Sequence, residues 1–433
     1  MSNITENPLI PCEECGLVVA IPFINEGEKV QCPRCKHTLT QIIHHPYQRP
    51  IAYVIACLMM LILSLCFPFM SFSVEGLSQE IGLLHAVKML DQFQNSALAL
   101  LLLCTVIVLP AIYLGFMLYL YIQSLRVIRL SVAQIERIRG LCKVLFRVKP
   151  WLMVDVFLVG VLVSLVKISA LADIGLGYSF WAFCIYTGLL VKCVSLVDRN
   201  WLWNQFIPLI SIDGIKAGDT YLTGNHTVCH VCEQINPPIS KKNAVCLRCK
   251  SKLHHENFKH NLQTSWALLI SAAIFYIPAN LYPIMYTVSL GHRDPSTIMG
   301  GVMLLWHHGS YPIAMIIFFA SVFIPLAKMF ALSWLFISAK RASTFPDRAS
   351  MQWQKVYRLT EIIGRWSMID IFVVAILVAL VQLQNLMAIY PGPAALSFAA
   401  VVVFTMLSAM KFDSRILWQN RTNNPINGSN YHE

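Results

Sequence analysis

Of the 433 residues, 57% are hydrophobic and only 13% are charged, whereas a soluble domain carries roughly 25% charged residues. A soluble fold could not hide that much apolar surface, so lipid solvates much of this chain. The net charge of +11 invites a nucleic-acid reading, but where those charges sit matters more than their sum.

The chain opens with polar residues and no cleavable signal ahead of its first hydrophobic run, so its start is expected to stay where it is translated. The first motif is Cys12-x-x-Cys15 with Cys32-x-x-Cys35; a second quartet, Cys229, Cys232, Cys246 and Cys249, repeats the pattern. Two CxxC knuckles at such a separation match a zinc ribbon, in which each knuckle supplies two thiolates. Four thiolates fill the coordination sphere and leave no open position, so two structural Zn²⁺ sites are expected rather than catalytic ones. The remaining six of the 14 cysteines lie in apolar runs or a basic loop, which suits reduced thiols better than a secreted disulfide framework. Neither ribbon carries a dense Lys/Arg stripe with interleaved aromatics, so no nucleic-acid partner is expected.

Eight stretches are apolar enough to cross a bilayer, at about 50–72, 96–123, 150–171, 178–197, 265–287, 310–337, 366–387 and 393–410, given that a crossing takes about 20 residues. Loop 124–149 sets Arg126, Arg129, Arg137, Arg139, Lys143, Arg147 and Lys149 against Glu136 alone, and loop 338–365 is also basic. Loops 73–95 and 288–309 are not. The positive-inside rule therefore puts both ribbons, both basic loops and both termini in the cytoplasm. The basic excess is then a matter of topology.

Advancing every position by 215 residues lays Phe67, Pro68 and Met70 on Tyr282, Pro283 and Met285. The same shift lays Pro110 on Pro325, and Trp151, Met153 and Asp155 on Trp366, Met368 and Asp370. Asp198 and Trp203 fall on Asp413 and Trp418. One offset that matches prolines, tryptophans and aspartates across four spans marks a duplication. Each unit has an even number of spans, so the copies are parallel, with a seam or cleft between them. The expected order is a zinc ribbon over 1–49, a transmembrane unit over 50–203, a second ribbon over 204–262, a second unit over 263–418, and a disordered cytoplasmic tail over 419–433. The fold class is a polytopic α-helical membrane protein. The paired tryptophans near span ends read as interfacial anchors.

Ionisable side chains at bilayer depth are costly and are candidates for function. Lys328 in the sixth span and Asp370 at the start of the seventh lie at similar depth. Ser321, two turns from Lys328, shares its face, and Thr405 in the eighth span is level with them. The first copy keeps the aspartate as Asp155 but has Tyr113 in place of Lys328. Its own lysine, Lys167, is three turns from Asp155, so Asp155 and Lys167 are secondary candidates. The bland alternative has the aspartates capping span starts and the lysines snorkelling.

The paired ribbons, the two Pro-containing turns and the repeated Trp-x-Met-x-Asp together resemble the paraquat-inducible protein A family of Gram-negative inner-membrane proteins. The likeness covers nearly the whole chain. It implies a tetraspanin-like transmembrane fold with small strands after the first span of each unit. It also implies a periplasmic partner, a mammalian-cell-entry (MCE) domain tunnel protein, and phospholipids as cargo moved between bilayer and tunnel. By position, the family's polar network would be Ser321, Lys328, Asp370 and Thr405. No Walker A sequence is present, so no enzyme is expected, and a Lys328–Asp370 pair offers proton coupling instead. Two other readings stay open: a membrane redox protein using the CxxC pairs, and a non-transporting anchor or regulator of the tunnel protein.

Overall fold

The computed structural model describes residues 8–418 apart from 75–76, 93–95, 126–130, 169–172, 221–222, 225, 240–243, 254–257, 290–291, 308, 310, 341–346, 367, 381 and 384–386. The expected tail at 419–433 thus lies outside the described residues.

The first ribbon pairs Leu9–Pro11 with Val18–Ala20 and Lys29–Gln31 with Thr38–Gln41. Unit 1 follows as α1 (Gln48–Cys66), α2 (Leu83–Gln92), α3 (Ser96–Leu102), a π-helical turn (Leu103–Val108), α4 (Leu109–Leu125), α5 (Val132–Val148), α6 (Val154–Ile168), α7 (Tyr178–Leu196) and α8 (Arg199–Phe206). The second ribbon pairs Thr227–Val228 with Ile235–Asn236. Unit 2 comprises α9 (Phe258–Leu281), α10 (Ile298–His307), α11 (Tyr311–Phe318), a π-helical turn (Phe319–Phe323), α12 (Ile324–Lys340), α13 (Asp347–Trp366), α14 (Ile369–Leu380) and α15 (Pro393–Lys411), and ends in a 3₁₀ turn at Ser414–Trp418.

Among the described residues, seven helices are long and apolar enough to cross a membrane. The seventh expected span, 366–387, is described only in part, since 367, 381 and 384–386 lie outside the described residues. Its helix α14 has 12 residues, about 18 Å at 1.5 Å per residue, against a hydrocarbon core of about 30 Å. A two-residue strand, Gln382–Leu383, is described beyond it. The basic loops are mostly helix, as α5 and α13, and α5 opens with a capping box between Ser131 and Gln134.

At the end of the bundle away from the ribbons, each unit closes with a small antiparallel sheet. In unit 1, Met70–Val74 lies between Leu77–Ile81 and Asp173–Leu176. In unit 2, Met285–Ser289 lies between His292–Ser296 and Met387–Pro391. The registers obey the 215-residue shift: Met70 faces Ile81 and Leu176, and Met285 faces Ser296 and Pro391. A glycine closes each sheet. A Cβ on Gly177 would stand 2.0 Å from the Pro68 carbonyl oxygen, and one on Gly392 would stand 2.1 Å from that of Pro283. Both glycines follow the duplication, and both are required by close backbone approach.

Within each unit the fourth span packs on the first, α7 on α1 and α15 on α9. The units meet through α6 and α14. Phe157 and Phe372, equivalent under the shift, touch edge to face at 5.5 Å across that seam. Ser164 donates to the Val373 carbonyl at 3.5 Å nearby. At this level the join is a packed seam and not an open cleft.

Candidate functional site

Each cysteine quartet is gathered by two knuckles of one design. The residue after the second cysteine takes a left-handed backbone: Gly16, Lys36, Glu233 and Lys250 have φ of 71°, 58°, 58° and 56°. Its amide then turns back onto the first cysteine's carbonyl, as Gly16 on Cys12 at 2.9 Å and Lys250 on Cys246 at 3.0 Å. The four Sγ atoms of each set lie within 4.8 Å of one another, and all eight cysteines are buried. The closest pairs are Cys12–Cys35 at 3.4 Å and Cys229–Cys249 at 3.5 Å. A tetrahedral site with metal–sulfur bonds of about 2.3 Å places its sulfurs roughly 3.8 Å apart, so the donor sets fit a thiophilic metal ion. The two quartets border one cavity of about 790 Å³, through Cys12 and Cys229.

Ribbon 1 reaches across to unit 2, and ribbon 2 sits on the end of unit 1. Ribbon 1, which precedes unit 1, shares its core with unit 2: Cys12, Cys15, Cys32 and Cys35 cluster with Leu335, Phe336, Phe412 and Trp418. The ribbon 2 cysteines join the core of unit 1. The contacts are reciprocal under the duplication. Arg34 stacks over Trp418 at 4.7 Å, and Arg248 lies over Trp203 at 5.8 Å. Arg248 is fully buried; it donates to the Ile207 carbonyl at 2.8 Å and to Asn204 Oδ1 at 2.6 Å. Trp203 and Trp418 are therefore buried ribbon seats rather than lipid-facing anchors. Hydropathy could not separate an indole at a lipid headgroup from one under a protein cap.

Ion pairs complete the clamp. Arg358 of α13 holds Glu14 in a fork, with Nε at 2.9 Å and 3.1 Å from the two carboxylate oxygens, and also donates to the Cys35 carbonyl at 2.9 Å. Burial pushes the Glu14 carboxyl up, but the bonds from His37 and Arg358 outweigh it and leave it below the usual range. Glu14 in turn raises His37 above the ordinary imidazole value. Arg199 of α8 joins the ribbons to each other by pairing with Glu13 and, at 3.0 Å, with Glu233. Asp198 caps α8 through the Trp201 amide at 2.8 Å and accepts from the Gln41 amide at 2.9 Å. Burial pushes its carboxyl above the usual range in spite of those bonds.

The second expected cluster is inside unit 2. Lys328 of α12 is 2% exposed and Thr405 of α15 is 1% exposed, and the Lys328 ammonium donates to Thr405 Oγ1 at 2.9 Å. The Thr405 hydroxyl donates to the Val402 carbonyl at 2.9 Å, which leaves its oxygen lone pairs for the lysine. Ser321 is buried too, on the π-helical turn. That turn adds a residue to the helical repeat just before Pro325, and such bulges are frequent at functional sites. Asp370 opens α14, but its side chain lies outside the described residues, as does that of Lys167. Asp155 is half-buried in the first turn of α6.

Comparison with known proteins agrees with this architecture. A family model described as paraquat-inducible protein A matches residues 47–207 and again 262–422. The chain belongs to the paraquat-inducible protein A family. Its two matches are themselves 215 residues apart, and the ribbon cysteines lie outside both. The chain is 41% identical to the intermembrane transport protein PqiA of Escherichia coli K12 over 95% of its length and 96% of that protein. It is 28% identical to a probable intermembrane transport protein of Haemophilus influenzae, over 95% and 96% of the two chains. It is 26% identical to the lipophilic envelope-spanning tunnel protein A of E. coli K12, over 94% and 90%. No solved structure matches. A multi-pass membrane protein of this family, similar to transport proteins along nearly its whole length, is a transport component.

Proposed function

We propose that this chain is the inner-membrane component of an MCE-type envelope lipid transport system. It moves phospholipid between the inner membrane and a periplasmic tunnel protein that docks on the end bearing the two small sheets. The ribbons, the termini and the basic helices α5 and α13 face the cytoplasm, as the positive-inside rule requires. Each ribbon holds one structural Zn²⁺, for which the tetrahedral spacing of its thiolates is the support. Relatives named for intermembrane transport and for a lipophilic tunnel support the cargo and partner classes.

The observation that carries the mechanism is the buried Lys328–Thr405 bond, which belongs to unit 2 alone. A lysine at bilayer depth is costly unless it is satisfied and in use. Ser321, Lys328, Asp370 and Thr405 form the polar network of this reading, and a proton taken up or released there couples the bundle to the proton gradient. Asp155 and Lys167 play a secondary part. The test is complementation of envelope integrity in a strain lacking redundant systems. Lys328→Ala and Asp370→Asn should each lose complementation at normal protein abundance. Wild-type growth of both under envelope stress would overturn the coupling. Photo-crosslinking of phospholipid to residues along α6 and α14 tests the cargo, and its absence would favour a pure anchor.

A further inference from the structure

The Lys328 ammonium has a second neighbour, on α13. A Cβ built on Gly364 would stand 3.2 Å from Lys328 Nζ and 3.4 Å from Cε. Gly364 is buried, and it lies in the last turn of α13, two residues before the helix ends at Trp366. The carbonyls of that turn lack intrahelical partners and carry the partial negative charge of the helix C-terminus. A glycine there lets the backbone approach the ammonium where a side chain would hold it off. In unit 1 the equivalent positions are Lys149 and Tyr113. The glycine therefore occurs only in the copy that has the lysine. The same helix carries Arg358, bonded to Glu14 and the Cys35 carbonyl of ribbon 1, and Gln354, which accepts from the Trp418 indole at 3.3 Å.

We propose that Gly364 is a positioning residue for Lys328, holding the last turn of α13 against the ammonium so that ribbon 1, through Arg358, sets where the lysine sits. This rests on the reading that Lys328 works in transport. Contact of 3.2 Å is tight but within the reach of a small adjustment for alanine; valine cannot be accommodated without displacing the ammonium from Thr405 Oγ1.

The test uses the full-length protein in lipid nanodiscs. Reductive methylation with isotopic formaldehyde, read residue by residue by mass spectrometry, compares Lys328 with the exposed Lys355 and Lys340 as internal standards. Gly364→Val should raise the relative labelling of Lys328 by about tenfold, the response expected when a protected group is released from its packed site, and Gly364→Ala should raise it less. Arg358→Gln should raise it in the same direction. In cells, Gly364→Val should lose complementation, and Gly364→Val with Lys328→Met should be no worse than Lys328→Met alone, as for residues acting as one unit. Unchanged Lys328 labelling in both glycine variants overturns the proposal, as does an additive double mutant. If Lys328→Met complements fully, the transport role of the lysine falls, whereas the labelling still decides whether Gly364 positions it.

Discussion

The two units share a backbone plan down to the register of their outer sheets, yet their interiors differ at one level. In unit 2, Ser321, Lys328 and Thr405 are buried. The equivalent positions in unit 1 are Val106, Tyr113 and Leu190, equally buried, so a polar row has become an apolar one with a phenol. Both copies keep the π-helical turn before the proline, at Leu103–Val108 and Phe319–Phe323. The ribbon end also diverges: Asp198 caps a helix and ties to ribbon 1, whereas Asp413 is forked by Arg415, its Nε at 2.9 Å and Nη2 at 2.6 Å. A duplicated scaffold preserves what closes the fold. The polar interior is free to survive in one copy only, because losing it from the other removes a desolvation cost.

The largest expected effect tests where each ribbon is seated. Cys229→Ser should destabilise unit 1 and Cys12→Ser the ribbon end of unit 2, because those are the units whose cores the quartets share. A structural zinc contributes on the order of 10 kcal/mol to its module, so protein abundance should fall sharply in both. Hydrogen exchange should show deprotection of unit 1 in Cys229→Ser and of the residues around Phe336 and Trp418 in Cys12→Ser; unchanged protection around Trp418 in Cys12→Ser would refute the seating of ribbon 1 on unit 2. Stripping metal with a strong chelator should reproduce both patterns together.

Next come the seats of the ribbons. Trp203→Ala removes a fully buried indole and should cost about 3–5 kcal/mol, seen as a lowered thermal midpoint and exposure of ribbon 2 to protease. Trp418→Ala should do the same to ribbon 1. A loss confined to lipid affinity would restore the anchoring role instead.

Gly177→Ala and Gly392→Ala sharpen the symmetric side of the comparison. Each drives a methyl into a proline carbonyl at about the same distance, so each should cost about 1–3 kcal/mol by thermal shift. Unequal costs would mean that the two sheets have diverged after all. The smallest effect belongs to Tyr113→Phe. Its hydroxyl is buried with no hydrogen-bond partner among the described residues, and removing an unsatisfied hydroxyl is near neutral or stabilising by about 1 kcal/mol. Activity should be unchanged, in contrast to Lys328→Met; a large loss would give unit 1 a polar role of its own.

Much of this was legible along the chain because it is periodic or local. A CxxC knuckle closes within a few residues, so both quartets could be read from spacing. Lys328 stood out because charge within an apolar run is rare. The span over 366–387 is described only through the 12-residue α14, because 367, 381 and 384–386 lie outside the described residues. Thr405 was expected level with Lys328 and is the partner described at 2.9 Å. The Asp370 side chain lies outside the described residues, and the approach of Gly364 to the lysine is set at a separation no local pattern encodes.

The 215-residue period, the two thiolate quartets and the membrane environment follow from residue order, because helix hydropathy and knuckle spacing are short-range properties. The seating of ribbon 1 against unit 2, the closed seam at Phe157 and Phe372, and the nearness of Gly364 to Lys328 were decided by packing. Ribbon 2 stays on the unit that ends just before it, whereas ribbon 1 reaches past the unit that follows it. It settles where an arginine finds an indole and an open carbonyl, and for Arg34 that place is 384 residues away at Trp418.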